Sequence, residues 1–111
     1  LARRSYGFEN EAIEIRGLSL HVPTRRVTVS ARHIDLTASE YALLEMLMLR
    51  ADRVITRRFL EERIFGNKEN LSNALDVHMG NLRRKIGDGY VRTVRGVGYV
   101  IDTVAVQKVT T

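Results

Sequence analysis

Asn73, Asn81 and Arg84 carry amide and guanidinium groups that can pair with the edges of bases, and Val77 among them offers an apolar contact for a thymine methyl. With Gly80, and with Asp76 and Arg83 at the edge, they fall on one face of a helix. Arg83 and Lys85 supply cations of the kind that neutralise phosphates. His78, between Val77 and Met79, reads as a packing residue or a phosphate contact. Further on, Arg95 stands between Val94 and Gly96, ahead of Val97 and Gly98. The two glycines permit tight turning and close approach to a surface. A guanidinium at such a tip suits a narrow, negative minor groove. The plainer alternative is a solvated helix with mixed polar decoration and an ordinary exposed arginine on a hairpin.

Other chemistries find little support. His21, His33 and His78 are scattered, and no pair has helical metal-ligand spacing. Glu61 and Glu62 are adjacent, so on a helix they point in different directions. Nothing resembles a nucleophile elbow or a P-loop, and Gly96-Val97-Gly98 leads into a strand rather than a helix N-terminus. The expectation is therefore no enzyme, no metal and no cofactor. The chain has no cysteine, hence no disulfide framework or thiolate metal site. Met46 and Met48 read as core material. No apolar run approaches the ~18 residues of a membrane span. The longest, Tyr41 to Leu49, is interrupted by Glu45.

Charge is uneven across the 111 residues. Net charge is +2 over residues 1–38, −1 over 39–82 and +4 over 83–111, for a total of +5. Positive charge thus gathers where the helix ends and the hairpin begins, as a polyanion-binding surface requires. A solvated basic surface would look the same by composition alone.

The elements that must position these groups are legible in the periodicity. Residues 1–11 look like a linker. From Ala12, apolar residues alternate with polar ones: Ile13 and Ile15; Leu18, Leu20 and Val22; Val27 and Val29; Ile34 and Leu36. This predicts a small antiparallel meander with a turn at Ser30-Ala31-Arg32 and one wet face. Thr37-Ala38-Ser39-Glu40 is a capping box, and Tyr41, Leu43, Leu44, Leu47 and Met48 form one broad helical face behind it. Thr56 is a second N-cap candidate, for a short helix to Phe65 with Leu60 and Ile64 inward and Gly66 as its stop. Leu71, Leu75, Met79, Leu82 and Ile86, spaced 4, 4, 3 and 4, give the third helix. Gly87 closes it, and Val91 to Val94 and Tyr99 to Ile101 form a hairpin around Arg95–Gly98. The class is α+β: a winged helix-turn-helix with an N-terminal antiparallel sheet, three helices and a C-terminal β-hairpin wing, over 12–102, with 103–111 as a tail.

In order and spacing, Leu36-Thr37-Ala38-Ser39-Glu40-Tyr41-Ala42-Leu43-Leu44, Val54-Ile55-Thr56-Arg57, Asp76-Val77-His78-Met79, Leu82-Arg83-Arg84-Lys85 and Arg92-Thr93-Val94-Arg95-Gly96-Val97-Gly98-Tyr99 are specific. Over roughly Ile13 to Asp102 the chain resembles the OmpR/PhoB-type winged-helix effector domain of bacterial two-component response regulators. The resemblance implies that the third helix is the recognition helix and that Arg95 enters the minor groove. It also implies that Thr56, Arg57, Thr93 and Tyr99 contact phosphates. The loop Gly66-Asn67-Lys68-Glu69-Asn70 would face RNA polymerase. Leu1 to Ser5 resemble the end of a receiver domain or its linker, so a phosphorylatable half is expected ahead of Leu1.

The chain departs from the family in four places. Gly80 and Asn81 stand where many relatives are basic, Phe65 replaces a frequent Trp, Arg58 stands where Glu is common, and Ala31-Arg32 replaces a Gly-containing turn. The expected partners are double-stranded DNA as tandem half-sites, RNA polymerase and the chain's own receiver domain. The isolated domain is expected to be a cytoplasmic monomer without DNA and without a membrane partner. The rival readings are a winged helix on another, for example membrane-linked, regulator, and a protein-interaction module.

Overall fold

A computed structural model of the protein describes residues 12–66, 74–87 and 89–104. Four short strands open the fold: β1 (Ala12–Ile15), β2 (Leu18–His21), β3 (Arg26–Val29) and β4 (Arg32–Ile34). They pair antiparallel in the order β1-β2-β3-β4, as the alternation predicts. Ile15, Leu18, Leu20 and Val27 form the buried face. The β3–β4 turn is tighter than expected. Ser30 and Ala31 both take positive φ (51° and 69°), while Arg32 pairs with Val29 and opens β4. Two consecutive left-handed residues match the twist of a two-residue hairpin, normally a glycine or asparagine preference. Here a serine and an alanine accept the strain.

Helix α1 (Ala38–Leu49) starts at the expected capping box. Thr37 Oγ1 accepts from the Glu40 N–H at 3.2 Å, and Glu40 Oε1 accepts from the Thr37 N–H at 3.0 Å. The sequence predicts one broad apolar face, but burial reaches further round the helix. Tyr41, Leu43, Leu44, Met46, Leu47 and Met48 are all buried, because α1 packs against β1 on one side and against both other helices on another. A helix apolar nearly all round belongs in the centre of a domain.

Beyond α1, Asp52 at φ 70° turns the chain, and its carboxylate accepts from the Thr103 N–H and hydroxyl. Ile55–Thr56 then forms a short strand, β5, that the periodicity does not reveal. It is followed by α2 (Arg57–Phe65), α3 (Ala74–Ile86), β6 (Val91–Val94) and β7 (Gly98–Ile101). A second antiparallel sheet has the order β5-β7-β6, so the wing is a three-stranded unit with the hairpin joined to the chain just before α2. Leu60 from α2, Leu75, Met79, Leu82 and Ile86 from α3, and Val91, Tyr99 and Ile101 from the hairpin close one core over α1. Among the described residues no helix is long and apolar enough to cross a membrane.

Candidate nucleic-acid interface

The apolar stripe of α3 sets the direction of its other face. Leu75, Met79, Leu82 and Ile86 are at most 3% exposed. Full burial of such a side chain contributes about 1.5–3 kcal/mol, more than any surface contact can oppose. The helix therefore cannot roll, and its outward residues are fixed by its inward ones. Val77 is left 53% exposed, an unusual position for an aliphatic side chain. Gly80 and Arg84 are also exposed and Asn81 is partly so. Arg84 Nη2 donates to Asn81 Oδ1 one turn back. This places an amide and a guanidinium side by side, each with donors left over. Asn73 lies outside the described residues. His78 is half-buried with its ring 5.9 Å from that of Phe65, which supports the packing alternative.

The N-cap of α2 lies next to the wing. Thr56 Oγ1 accepts from the Phe59 N–H at 3.1 Å, and the Arg57 N–H donates to Val97 O at 3.1 Å. The hairpin tip is thus fastened to the first turn of α2. At that tip the Val97 N–H donates to Val94 O at 2.9 Å, across Arg95 and a Gly96 with φ 79°. Positive φ at the third residue is what a type II turn demands, and glycine meets it without strain. Arg95 and Val97 remain exposed. Gly98 has a different task from the turning role that its spacing suggests. It sits within β7 without positive φ, and a Cβ there would lie 1.9 Å from Ile55 O. The surface it approaches closely is strand β5 of its own chain.

Two of the expected phosphate groups already have partners within the domain. Tyr99, expected to face a phosphate, is 5% exposed, and its hydroxyl donates to Asp76 Oδ1 at 2.8 Å. Lys85, also expected on a phosphate, is exposed and donates to Glu40 Oε1 at 2.7 Å, joining the end of α3 to the start of α1. Burial would push the Glu40 carboxyl up, but the hydrogen bonds from Lys85 and Thr37 outweigh it and hold the pKa below the ordinary glutamate value.

Three of the other expected phosphate groups, Arg57, Arg83 and Thr93, are linked in one network through Asp76 and Tyr99. Arg57 Nη1 and Nη2 donate to the Asp76 carboxylate at 2.8 and 3.5 Å, and Glu61 Oε2 lies 3.7 Å from Nη2. Arg83 donates to Val91 O at 3.2 Å and to Thr93 Oγ1, and its guanidinium lies over the Tyr99 ring. Hydrogen bonds from Arg57 and then Tyr99 hold the Asp76 carboxyl below the usual aspartate value. Burial, followed by the bond to Asp76, raises Tyr99. Sequence reasoning left Asp76 at the edge of the face. The available signal was an acid one turn into a helix that ends Arg83-Arg84-Lys85. Of the loop expected to face RNA polymerase, Gly66 is exposed at the end of α2 with φ 67°, and Asn67 to Asn70 lie outside the described residues. Among the described residues no group of His, Cys, Asp and Glu could hold a metal.

Known proteins give the arrangement a context. Residues 31–101 match the family described as "Transcriptional regulatory protein, C terminal". The transcriptional regulatory protein QseB of Haemophilus influenzae is 45% identical over 105 residues, which are 94% of this chain and 48% of that protein. The response regulator protein PmrA of Pseudomonas aeruginosa is 40% identical over 103 residues, 92% of this chain and 47% of its own. The chain thus spans about half the length of these relatives. The DNA binding domain of CpxR from E. coli superposes with a TM-score of 0.73 at 28% identity, covering 82% of this chain and 95% of that one. The Klebsiella pneumoniae RstA DNA-binding domain, solved in complex with RstA box, shares the fold at a TM-score of 0.77 and 21% identity, with 85% and 99% covered. The chain belongs to the family of C-terminal domains of transcriptional regulatory proteins, the OmpR/PhoB-type winged-helix effector domains of response regulators.

Proposed function

We propose that this domain binds double-stranded DNA in a sequence-specific manner to regulate transcription, with α3 in the major groove and Arg95 of the wing in the adjacent minor groove. The observation that carries the reading is the orientation of α3. Its apolar stripe is locked inward, and Val77, Asn81 and Arg84 are left outward on the helix whose last turn is basic. Amide, guanidinium and methyl contacts together distinguish base pairs in the major groove, where each pair presents its own pattern. Arg83, Arg57, Thr56 and Thr93 border that face and act on phosphates. No cofactor is needed for such an interaction.

The same reading places the domain in the cytoplasm as half of a longer response regulator, controlled by phosphorylation of a receiver domain. The isolated domain is a monomer without DNA. It occupies tandem half-sites head to tail, about one helical turn or ~10–10.5 bp apart. The polar segment from Gly66 to Asn70 has no apolar anchor in its sequence, and in this reading it is the segment that RNA polymerase contacts.

Selection of bound sequences from a random duplex pool tests the proposal. A recovered motif with a repeat at that spacing is expected, bound at least about a thousandfold more tightly than random duplex. Recovery of no motif, with equal retention of heparin and duplex, would leave only a general polyanion surface. Lys68→Ala with Glu69→Ala tests the loop: transcriptional activation should fall while DNA affinity stays unchanged.

A further inference from the structure

Asp76 is an acid on the side of the domain that faces a polyanion. It lies in the first turn of α3, where the helix dipole would otherwise attract a phosphate. Its side chain remains 51% exposed, so its charge is felt at the surface. Its Oδ1 accepts from both Arg57 Nη1 and the Tyr99 hydroxyl at 2.8 Å, and its Oδ2 is 3.5 Å from Arg57 Nη2. Arg57 is also the residue whose backbone N–H holds the wing tip through Val97 O. One carboxylate therefore joins the start of the reading helix, the start of α2 and the central strand of the wing. It also engages Arg57, one of the cations expected to bind phosphates regardless of sequence.

We infer that Asp76 is a specificity-determining positioning residue, which suppresses sequence-independent binding by holding Arg57 and Tyr99 and by repelling phosphates at the α3 N-terminus. The inference rests on the DNA-binding reading above. A duplex attached only through its backbone meets this carboxylate as a penalty with no compensation. A duplex that fits the outward face of α3 offsets it through base contacts. The net effect is a larger ratio of specific to nonspecific affinity, at some loss of affinity overall.

The experiment compares the full chain with Asp76→Asn and Tyr99→Phe on two labelled duplexes, the selected site and a scrambled sequence of equal composition, across a salt series. Asp76→Asn keeps the shape and removes the charge. Its affinity for the scrambled duplex is expected to rise about three- to fivefold, the range of a partly exposed ion pair. On that duplex the salt slope should steepen by about 0.9, because Arg57 then gains the phosphate that in wild type it reaches only on the selected site. The selected site should gain less, so the ratio falls. Tyr99→Phe keeps the Arg57–Asp76 pair and should leave the salt slope unchanged. If Asp76→Asn weakens both duplexes in proportion, Asp76 is only a structural strut and the inference is overturned. A slope flattened by Tyr99→Phe would likewise overturn it, because the hydroxyl would then be a phosphate ligand. Failure of the wild-type chain to prefer the selected site would overturn the DNA-binding reading itself, and this is seen before any variant is compared.

Discussion

The hairpin β6–β7 is fastened on two flanks, and the two use different chemistry. At its root, Arg16 from the β1–β2 turn donates to Asp102 O and Gly89 O, both at 3.1 Å, and lies over the Tyr90 ring. Tyr90 returns a hydroxyl bond to Arg16 O at 2.7 Å. On the opposite flank, Arg57, Asp76, Tyr99, Arg83 and Thr93 are joined almost wholly through side chains. A part-buried carbonyl such as Asp102 O carries a desolvation penalty when its donor leaves, whereas an exposed carboxylate or hydroxyl can turn to water. A guanidinium held by a carboxylate or a hydroxyl can change partners when a polyanion arrives. The root flank is therefore built to stay, and the α3 flank is built to respond.

The largest expected effect removes what both flanks depend on, the pairing of β5 with β7. Gly98→Ala would drive a methyl to 1.9 Å from Ile55 O, a backbone atom that cannot move without unzipping β5. A loss of about 3 kcal/mol or more in denaturant unfolding is expected, together with loss of DNA binding. Gly96→Ala, at φ 79° but with open space around it, should cost about 1 kcal/mol. Equal costs would mean that the wing is not seated against β5.

Arg16→Met addresses the root alone. It keeps an unbranched side chain but deletes two bonds to carbonyls and the guanidinium contact with the Tyr90 ring, for a loss of about 1–2 kcal/mol. DNA affinity should change only as far as stability does, and the salt slope should be unchanged. Arg83→Ala on the other flank should flatten the salt slope by about one unit on every duplex. If Arg16→Met also alters the slope, the two flanks are not separate.

Acid should weaken both flanks and the core. Bonds from Arg92 hold the Asp102 carboxyl below its usual value, as bonds from Arg57 and Tyr99 do for Asp76, and Glu40 is lowered despite its burial. A carboxyl with a depressed pKa in the folded state adds stability that is complete above the ordinary carboxylate range. That stability is lost as pH falls through the range to the depressed values. Thermal unfolding should therefore show a midpoint that falls on the acid side, and a second fall in alkali as pH rises through the ordinary tyrosine value towards the raised value of Tyr99. Glu40→Gln should flatten the acid fall more than Asp76→Asn, since Asp76 is half exposed and solvent screens it.

Much of this was legible in the sequence, for local reasons. The Thr37–Glu40 capping box, the α3 stripe and the meander are set by neighbours three, four or two residues apart, and periodicity records such spacings directly. Strand β5 was not legible, because two residues make no period and Ile55–Thr56 is a strand only through Gly98 and Tyr99, far along the chain. The internal partners of Lys85 and Tyr99 were not legible for the same reason. On a one-dimensional face both look available, and only the packing of α1 and β7 brings Glu40 and Asp76 to them. Residue types reveal a capacity for a contact, whereas tertiary neighbours decide whether it is already occupied.

The smallest expected effect on stability is the sharpest on function. Arg95 is exposed at the tip, beyond the bonds that hold either flank. Arg95→Ala should shift stability by no more than about 0.5 kcal/mol, as for other surface changes. Its effect on binding should depend on the neighbouring sequence. A narrow A·T-rich minor groove concentrates negative potential and favours an inserted guanidinium, whereas a wider G·C-rich groove does so less. Wild type should therefore prefer a selected site with an A·T-rich flank over the same site with a G·C-rich one, and Arg95→Ala should abolish most of that preference. Equal losses on both flanks would make Arg95 a general phosphate contact. The wing would then act only as a clamp on the backbone, and α3 alone would read the sequence.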